Sequence, residues 1–196
     1  MNDISEKVNK WYTDNYKIKS CSRFESFRLA LTLLYDRFEN PFIFETGTVR
    51  QENDFGAGYS TYIFGECISL FGGELLTVDN CEQHMNLCKR LTRHFSNNIT
   101  YIINDSIKTI ETFSDKIDLL YLDSCDCPIV GDATEAQKHN LSEFMMAESK
   151  LKPNTLILID DVNFENGGKA KLTQEYLKNN GYSLIYTCQQ SLWHKL

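Results

Sequence analysis

From Pro41 onward, short apolar runs alternate with amphipathic stretches, and nearly every run ends in an acid or an amide. The runs are residues 42–44, 75–78, 100–103, 117–122 and 156–159. Consecutive rather than alternating apolar residues imply strands buried on both faces, as in a parallel sheet. Between them lie helix-like segments, roughly 58–71, 82–95, 106–113, 133–150 and 169–179; the last stops at Asn179-Asn180-Gly181. Strands separated by helices require crossover connections, so the pattern predicts an α/β domain. The tail, 182–196, is expected to add one or two strands. Residues 1–40 are expected to form a helical cap, with Phe24, Phe27, Leu31, Leu34 and Phe38 in one apolar stripe. Residues 41–196 would be the α/β unit, the whole forming one structural domain, since 196 residues suffice for a single full core.

The strand ends carry the functional signal. Glu45, Asp79-Asn80, Asn104-Asp105, Asp123 and Asp160-Asp161 each close a run. Ligands of open α/β sheets bind outside the carboxyl ends of the strands, so five such ends would crowd polar groups into one crevice. Helix capping could account for Asp79 or Asp105 taken singly.

At the first strand end, Glu45-Thr46-Gly47-Thr48 is followed by Gly56-Ala57-Gly58-Tyr59-Ser60-Thr61 and then a helix. Glycines there let backbone turn sharply and approach a ligand. Asp79 follows Gly58 by 21 residues, which suits a carboxylate accepting both hydroxyls of an adenosyl ribose. A carboxylate at Glu45 would repel a pyrophosphate, so it favours S-adenosylmethionine, with its ammonium and sulfonium, over a nicotinamide dinucleotide.

On these motifs the chain from about Phe42 resembles the class I S-adenosylmethionine-dependent methyltransferases, in particular the metal-dependent small-molecule O-methyltransferases of the catechol and macrolide-sugar types. Glu45-Thr46-Gly47-Thr48 with Tyr59-Ser60-Thr61 matches their first motif, with an insertion from about Val49 to Phe55. The resemblance implies a Rossmann-like fold, a mostly parallel seven-stranded sheet with helices on both faces. It implies a cofactor site formed by Glu45, Thr46, Gly47, Thr48, Ser60, Thr61, Asp79, Asn80, Asp105, Ser106 and Asp123. Glu45 and Gly47 would lie near the methionine portion, Asp79 at the ribose, and Asp105 with Ser106 at the adenine; Ser106 reads equally as a helix cap.

Methyl transfer to a hydroxyl needs an acceptor held in line and its proton removed. A divalent metal can do both. Asp123, Asp160 and Asp161 end two strands that, as neighbours about 5 Å apart, could share one ion; oxygen ligands suit Mg²⁺ or Mn²⁺, and the resemblance matches the same three residues to the metal positions. Without a cation, three clustered acids would repel one another. The catechol type has a lysine three residues after the first ligand, where this chain has Asp126. The sugar type has an aspartate two residues after it, where this chain has Cys125. Asp126 and His139 are the candidate bases, alongside Asp123 as a catalytic residue. His139 shares a helix face with Glu135 and Glu143. His84 and His94 belong to no acidic constellation and read as surface. Gly167-Gly168 reads either as a plain loop or as a lid carrying Lys169.

The formal net charge of −7 argues against a nucleic-acid partner, and no window reaches the ~20 apolar residues of a membrane span. The seven scattered cysteines suggest free thiols, and Cys125-Asp126-Cys127 lacks the second ligand pair of a zinc site. The expectation is a cytoplasmic methyltransferase acting on a small hydroxylated molecule. The N-terminal helices would line its acceptor pocket or form a homodimer contact. The alternatives are a nicotinamide oxidoreductase and a non-catalytic S-adenosylmethionine-binding protein.

Overall fold

Successive residues of the central strands point to opposite faces of the sheet, and both faces are apolar. Ile43, Leu75, Leu119, Tyr121, Leu156 and Leu158 enter one core; Phe44, Leu76, Leu120, Leu122, Ile157 and Ile159 enter the other. Each face must therefore be covered by helices, which is why the chain crosses back after each strand. The computed structural model describes residues 1–19, 21–57 and 59–195; Gly58, half of the expected glycine pair, lies outside the described residues, as does the side chain of Cys21.

Two helices lead, α1 (Asp3–Tyr16) and α2 (Phe24–Arg37), joined by a short helical turn, Cys21–Arg23. The sheet follows: β1 (Phe42–Thr46), α3 (Ser60–Phe71), β2 (Glu74–Asp79), α4 (Glu82–Leu91), β3 (Ile99–Ile103), α5 (Ser106–Thr112), β4 (Ile117–Leu122), α6 (Thr134–Ala147), β5 (Leu151–Ile159), α7 (Lys171–Asn179), β6 (Tyr182–Thr187) and β7 (Ser191–Lys195). The strand order is β3-β2-β1-β4-β5-β7-β6. β1 to β5 pair in parallel, and β7 runs antiparallel to both β5 and β6. This is the Rossmann-like sheet expected from the sequence, mixed at one edge because β6 and β7 form a hairpin. β5 starts earlier than its apolar run, with a register break opposite Ile117 and Leu119.

Val8, Tyr12 and Tyr16 of α1, and Phe27, Leu31 and Leu34 of α2, are buried in the same core as the first sheet face. The α2 stripe is thus spent on the chain's own sheet. α5, α6 and α7 contribute Ile110, Phe144, Ala147 and Leu177 to the opposite core. Cys67, Cys81, Cys88, Cys125, Cys127 and Cys188 are free thiols. Among the described residues no helix is long and apolar enough to cross a membrane.

Candidate active site

The strand order reverses between β1 and β4, since the chain moves outward through β2 and β3 before returning to β4. At such a switch point the connections leave in opposite directions and open a crevice. Backbone hydrogen bonds continue across this rim beyond the strands: Asn104 N to Asp79 O at 3.2 Å, Gly47 N to Val78 O at 2.9 Å, Asp123 N to Thr46 O at 3.0 Å and Asp160 N to Leu122 O at 3.1 Å. The polar strand ends therefore stand side by side. Gly47 has φ +82°, and a Cβ there would lie 2.7 Å from Asp123 O, so only glycine fits where β1 meets β4.

A cavity of about 800 Å³ lies over this rim. Of the residues expected to hold cofactor, Gly47, Thr48, Ser60, Asp79, Asn80, Asp105, Ser106 and Asp123 line it, together with Asp126 and His139. Among the described residues none of the lining comes from α1 or α2. Glu45, Thr46 and Thr61 are fully buried. Thr61 Oγ1 lies 3.1 Å from Thr48 Oγ1 and accepts from Val49 N at 3.1 Å, fixing the start of the insertion. The insertion itself packs into the site: Val49, Arg50, Gln51 and Asp54 face the cavity.

Glu45 is the one buried acid of the cofactor set with an idle oxygen. Ser60 Oγ donates to Oε1 at 2.6 Å, whereas Oε2 is buried with no hydrogen-bond partner. Burial, helped by the nearby Asp123 charge, outweighs the pull of the Ser60, Thr77 and Thr61 hydroxyls and pushes the carboxyl up to about 7. Asp79 has one oxygen accepting from Cys81 N at 2.7 Å, and its other lies 3.6 Å from His84 Nδ1. His84, read from sequence as a surface residue, lines the cavity. Asp105 caps α5 by accepting from Lys108 N at 2.9 Å. Capping thus claims one Asp105 oxygen, and Ser106 is the first helical residue rather than the cap.

At the other end, Asp123, Asp160 and Asp161 do come together, but around two cations of the chain itself. Arg23 Nε donates to both Asp160 oxygens, at 3.0 and 2.9 Å, and Nη2 to Asp161 Oδ1 at 3.1 Å. Its Nη1 donates to Gly56 O. Lys169 Nζ donates to Asp123 Oδ1 at 2.7 Å and lies 3.5 Å from Asp161 Oδ2. The Tyr121 hydroxyl donates to Asp160 Oδ2 at 2.9 Å, lies 3.2 Å from Asp123 Oδ2, and accepts from Gln190 Nε2 at 3.0 Å. Burial and the two neighbouring acids raise the Asp123 carboxyl, with Lys169 pulling the other way. The surrounding carboxylates keep Lys169 protonated despite its burial.

The two candidate bases are separated by their surroundings. Asp126 is exposed and accepts from Arg50 Nη1 at 2.6 Å, so the insertion and the loop after β4 meet over the cavity. His139 Nε2 lies 3.1 Å from Ser124 Oγ, 3.3 Å from Ser106 Oγ and 3.3 Å from Glu143 Oε1. Glu143 raises the imidazole, against burial. The Gly167-Gly168 loop is packed rather than open: Gln137 Nε2 donates to Asn166 O and Gly168 O, both at 3.1 Å. Arg23, Arg50, Tyr121, Ser124 and Gln190 escaped the sequence reading. Their partners are distant in sequence or on other elements, and no spacing rule marks them.

A family model described as a methyltransferase domain matches residues 54–162. No curated protein sequence matches the chain. Solved structures with the same fold include an O-methyltransferase from Bacillus cereus in complex with S-adenosylhomocysteine, with TM-score 0.61 and 17% identity, covering 99% of this chain and 90% of that one. An S-adenosylhomocysteine-bound methyltransferase from Podospora anserina gives TM-score 0.62 and 13% identity, covering 100% and 88%. An rRNA methylase from Streptococcus thermophilus gives 0.58 and 11%, covering 87% and 96%.

Proposed function

The chain belongs to the methyltransferase-domain family and is an S-adenosylmethionine-dependent methyltransferase, and from that premise we propose that it methylates a hydroxyl oxygen of a small molecule. The observation that carries the cofactor assignment is Glu45: a buried carboxyl that does not itself line the cavity but is hydrogen-bonded to Ser60, which does, and whose Oε2 has no partner. An unsatisfied buried acceptor is costly, and the ammonium of a bound amino-acid moiety would satisfy it. A pyrophosphate would instead be repelled, which sets the nicotinamide alternative aside. Asp79, with one oxygen only loosely engaged by His84, would hold the ribose hydroxyls. Ser106 and His139, within 3.3 Å of each other, would together border the adenine, which moves His139 from the reacting end to the adenine end.

S-adenosylmethionine, when bound, supplies a methyl group on a positively charged sulfur. The protein must then position the acceptor oxygen and take its proton. Asp123 fronts the cavity, and burial and like charges raise its carboxyl toward a useful range; it is the group assigned to accept that proton. Asp126 is committed to Arg50 and serves instead to close the cavity mouth against water. The volume of about 800 Å³ suits a cofactor with a compact acceptor, and the net charge of −7 disfavours a phosphate-rich one.

The resemblance also implies Mg²⁺ or Mn²⁺ at Asp123, Asp160 and Asp161. The residues as arranged do not fit such an ion. Lys169 and Arg23 already ligate the three carboxylates, and among the described residues no three His, Cys, Asp or Glu side chains form a metal-binding group.

The test is calorimetric titration with S-adenosylhomocysteine, followed by transfer of a labelled methyl from S-adenosylmethionine to a panel of hydroxylated small molecules. Binding with label on oxygen is expected. Label on nitrogen or on RNA alone would overturn the acceptor assignment.

A further inference from the structure

We propose that this methyltransferase works without a divalent metal because Lys169, backed by Arg23, is a built-in cation at the acceptor end of the site. The proposal rests on the methyltransferase reading for what the site is used for, but its physical content concerns only the carboxylate cluster.

Three carboxylates converge from two neighbouring strands. Left alone they would repel, and each would demand a counter-charge. Lys169 Nζ bridges them: 2.7 Å from Asp123 after β4, and 3.5 Å from Asp161 after β5. Bridging the ends of two strands is the work a shared ion would do. Arg23 takes the remaining carboxylate in a two-contact grip and reaches Asp161 with its other arm. None of the three acids has a buried oxygen without a partner, in contrast to Glu45 and Glu143.

The chain around Lys169 is shaped to deliver it. Gly168 has φ +63°, and a Cβ there would lie 1.8 Å from Asp161 O, so no other residue fits without moving the backbone. Lys169 N donates to Asp161 O at 3.2 Å, and Gln137 pins the carbonyls of Asn166 and Gly168 from α6. The lysine side chain is 2% exposed. It cannot swing into water without undoing these contacts, and displacing it by a metal would leave a buried ammonium with only the Ser124 carbonyl, 3.4 Å away, as a partner. Mg²⁺ further demands near-octahedral oxygen ligation at about 2.0–2.1 Å, which an ammonium on the same oxygens excludes. Lys169 does not line the cavity; it acts through Asp123 and is a positioning residue.

The test is Mn²⁺ binding followed by electron paramagnetic resonance on the full chain, wild type beside Lys169→Ala. The wild type is expected to leave Mn²⁺ free at submillimolar concentrations, and its melting temperature to be unmoved by Mg²⁺ or Mn²⁺. Lys169→Ala is expected to bind Mn²⁺ at least about tenfold more tightly, because the carboxylates lose their counter-charge. Stoichiometric Mn²⁺ binding by the wild type that Asp160→Asn abolishes would overturn the proposal, whether or not the lysine variant folds. So would a folded Lys169→Ala protein with no gain in Mn²⁺ affinity. S-adenosylhomocysteine titration of the same wild-type sample reports on the cofactor reading separately, since Glu45 and Asp79 do not touch the cluster's cations.

Discussion

Cofactor binding should release a proton from Glu45, and its strength should follow pH accordingly. Burial raises this carboxyl from 4.5 to about 7 in the empty protein, so just below neutrality it is largely protonated and must ionise to face an ammonium. Apparent affinity for S-adenosylhomocysteine should then fall about tenfold for each pH unit below 7 and level off above it. The same shift bears on stability. A folded pKa above the unfolded one means stability that is fully present below about 4.5 and lost as pH rises through about 7. The loss amounts to about 3 kcal/mol, at about 1.36 kcal/mol for each pH unit between 4.5 and about 7. Glu45→Gln removes the titration. It should raise the denaturant midpoint of the empty protein above neutral pH while weakening and flattening cofactor binding. Calorimetry in buffers of different ionisation enthalpy would count the released proton directly. Affinity independent of pH below neutrality, together with a Glu45→Gln protein no more stable than wild type, would refute the reasoning.

Asp79→Ala should weaken S-adenosylhomocysteine binding roughly 100-fold, the worth of two charge-assisted hydrogen bonds, with little change in the unfolding midpoint; calorimetry and a melting curve check both. His139→Asn should raise KM for S-adenosylmethionine more than it lowers kcat, because its ring sits against Ser106 and Ser124; a collapse of kcat with KM unchanged would return it to the role of base. Arg23→Met should cost about 3–5 kcal/mol in urea unfolding, since Asp160 would stay buried with its main counter-charge gone.

Periodicity is local, and what depends on it was legible in the sequence. Residues apolar on both sides of a strand demand two covered faces, so the runs ending at Glu45, Asp79, Asp123 and Asp160 implied a parallel sheet with a polar rim. The five expected strands and five helices after Pro41 are all present, and Gly47 stands where backbones approach closely. The electrostatic problem of Asp123, Asp160 and Asp161 could be posed from sequence only on the condition that β4 and β5 are neighbours, which the sheet order supplies.

Its solution could not. Arg23 meets Asp160 across 137 residues, from a segment whose only visible pattern is the apolar stripe beside it, and Lys169 turns inward because of the left-handed backbone at Gly168 and the grip of Gln137. Likewise Asp105 was claimed by a cap and Asp126 by Arg50. The sequence by itself determined that acids would gather at one edge, since parallel strands joined by crossovers all end on the same side of the sheet. Which cation answers each acid was decided by tertiary structure alone, since an ion pair depends on where two side chains point in space, and residue spacing carries no record of that.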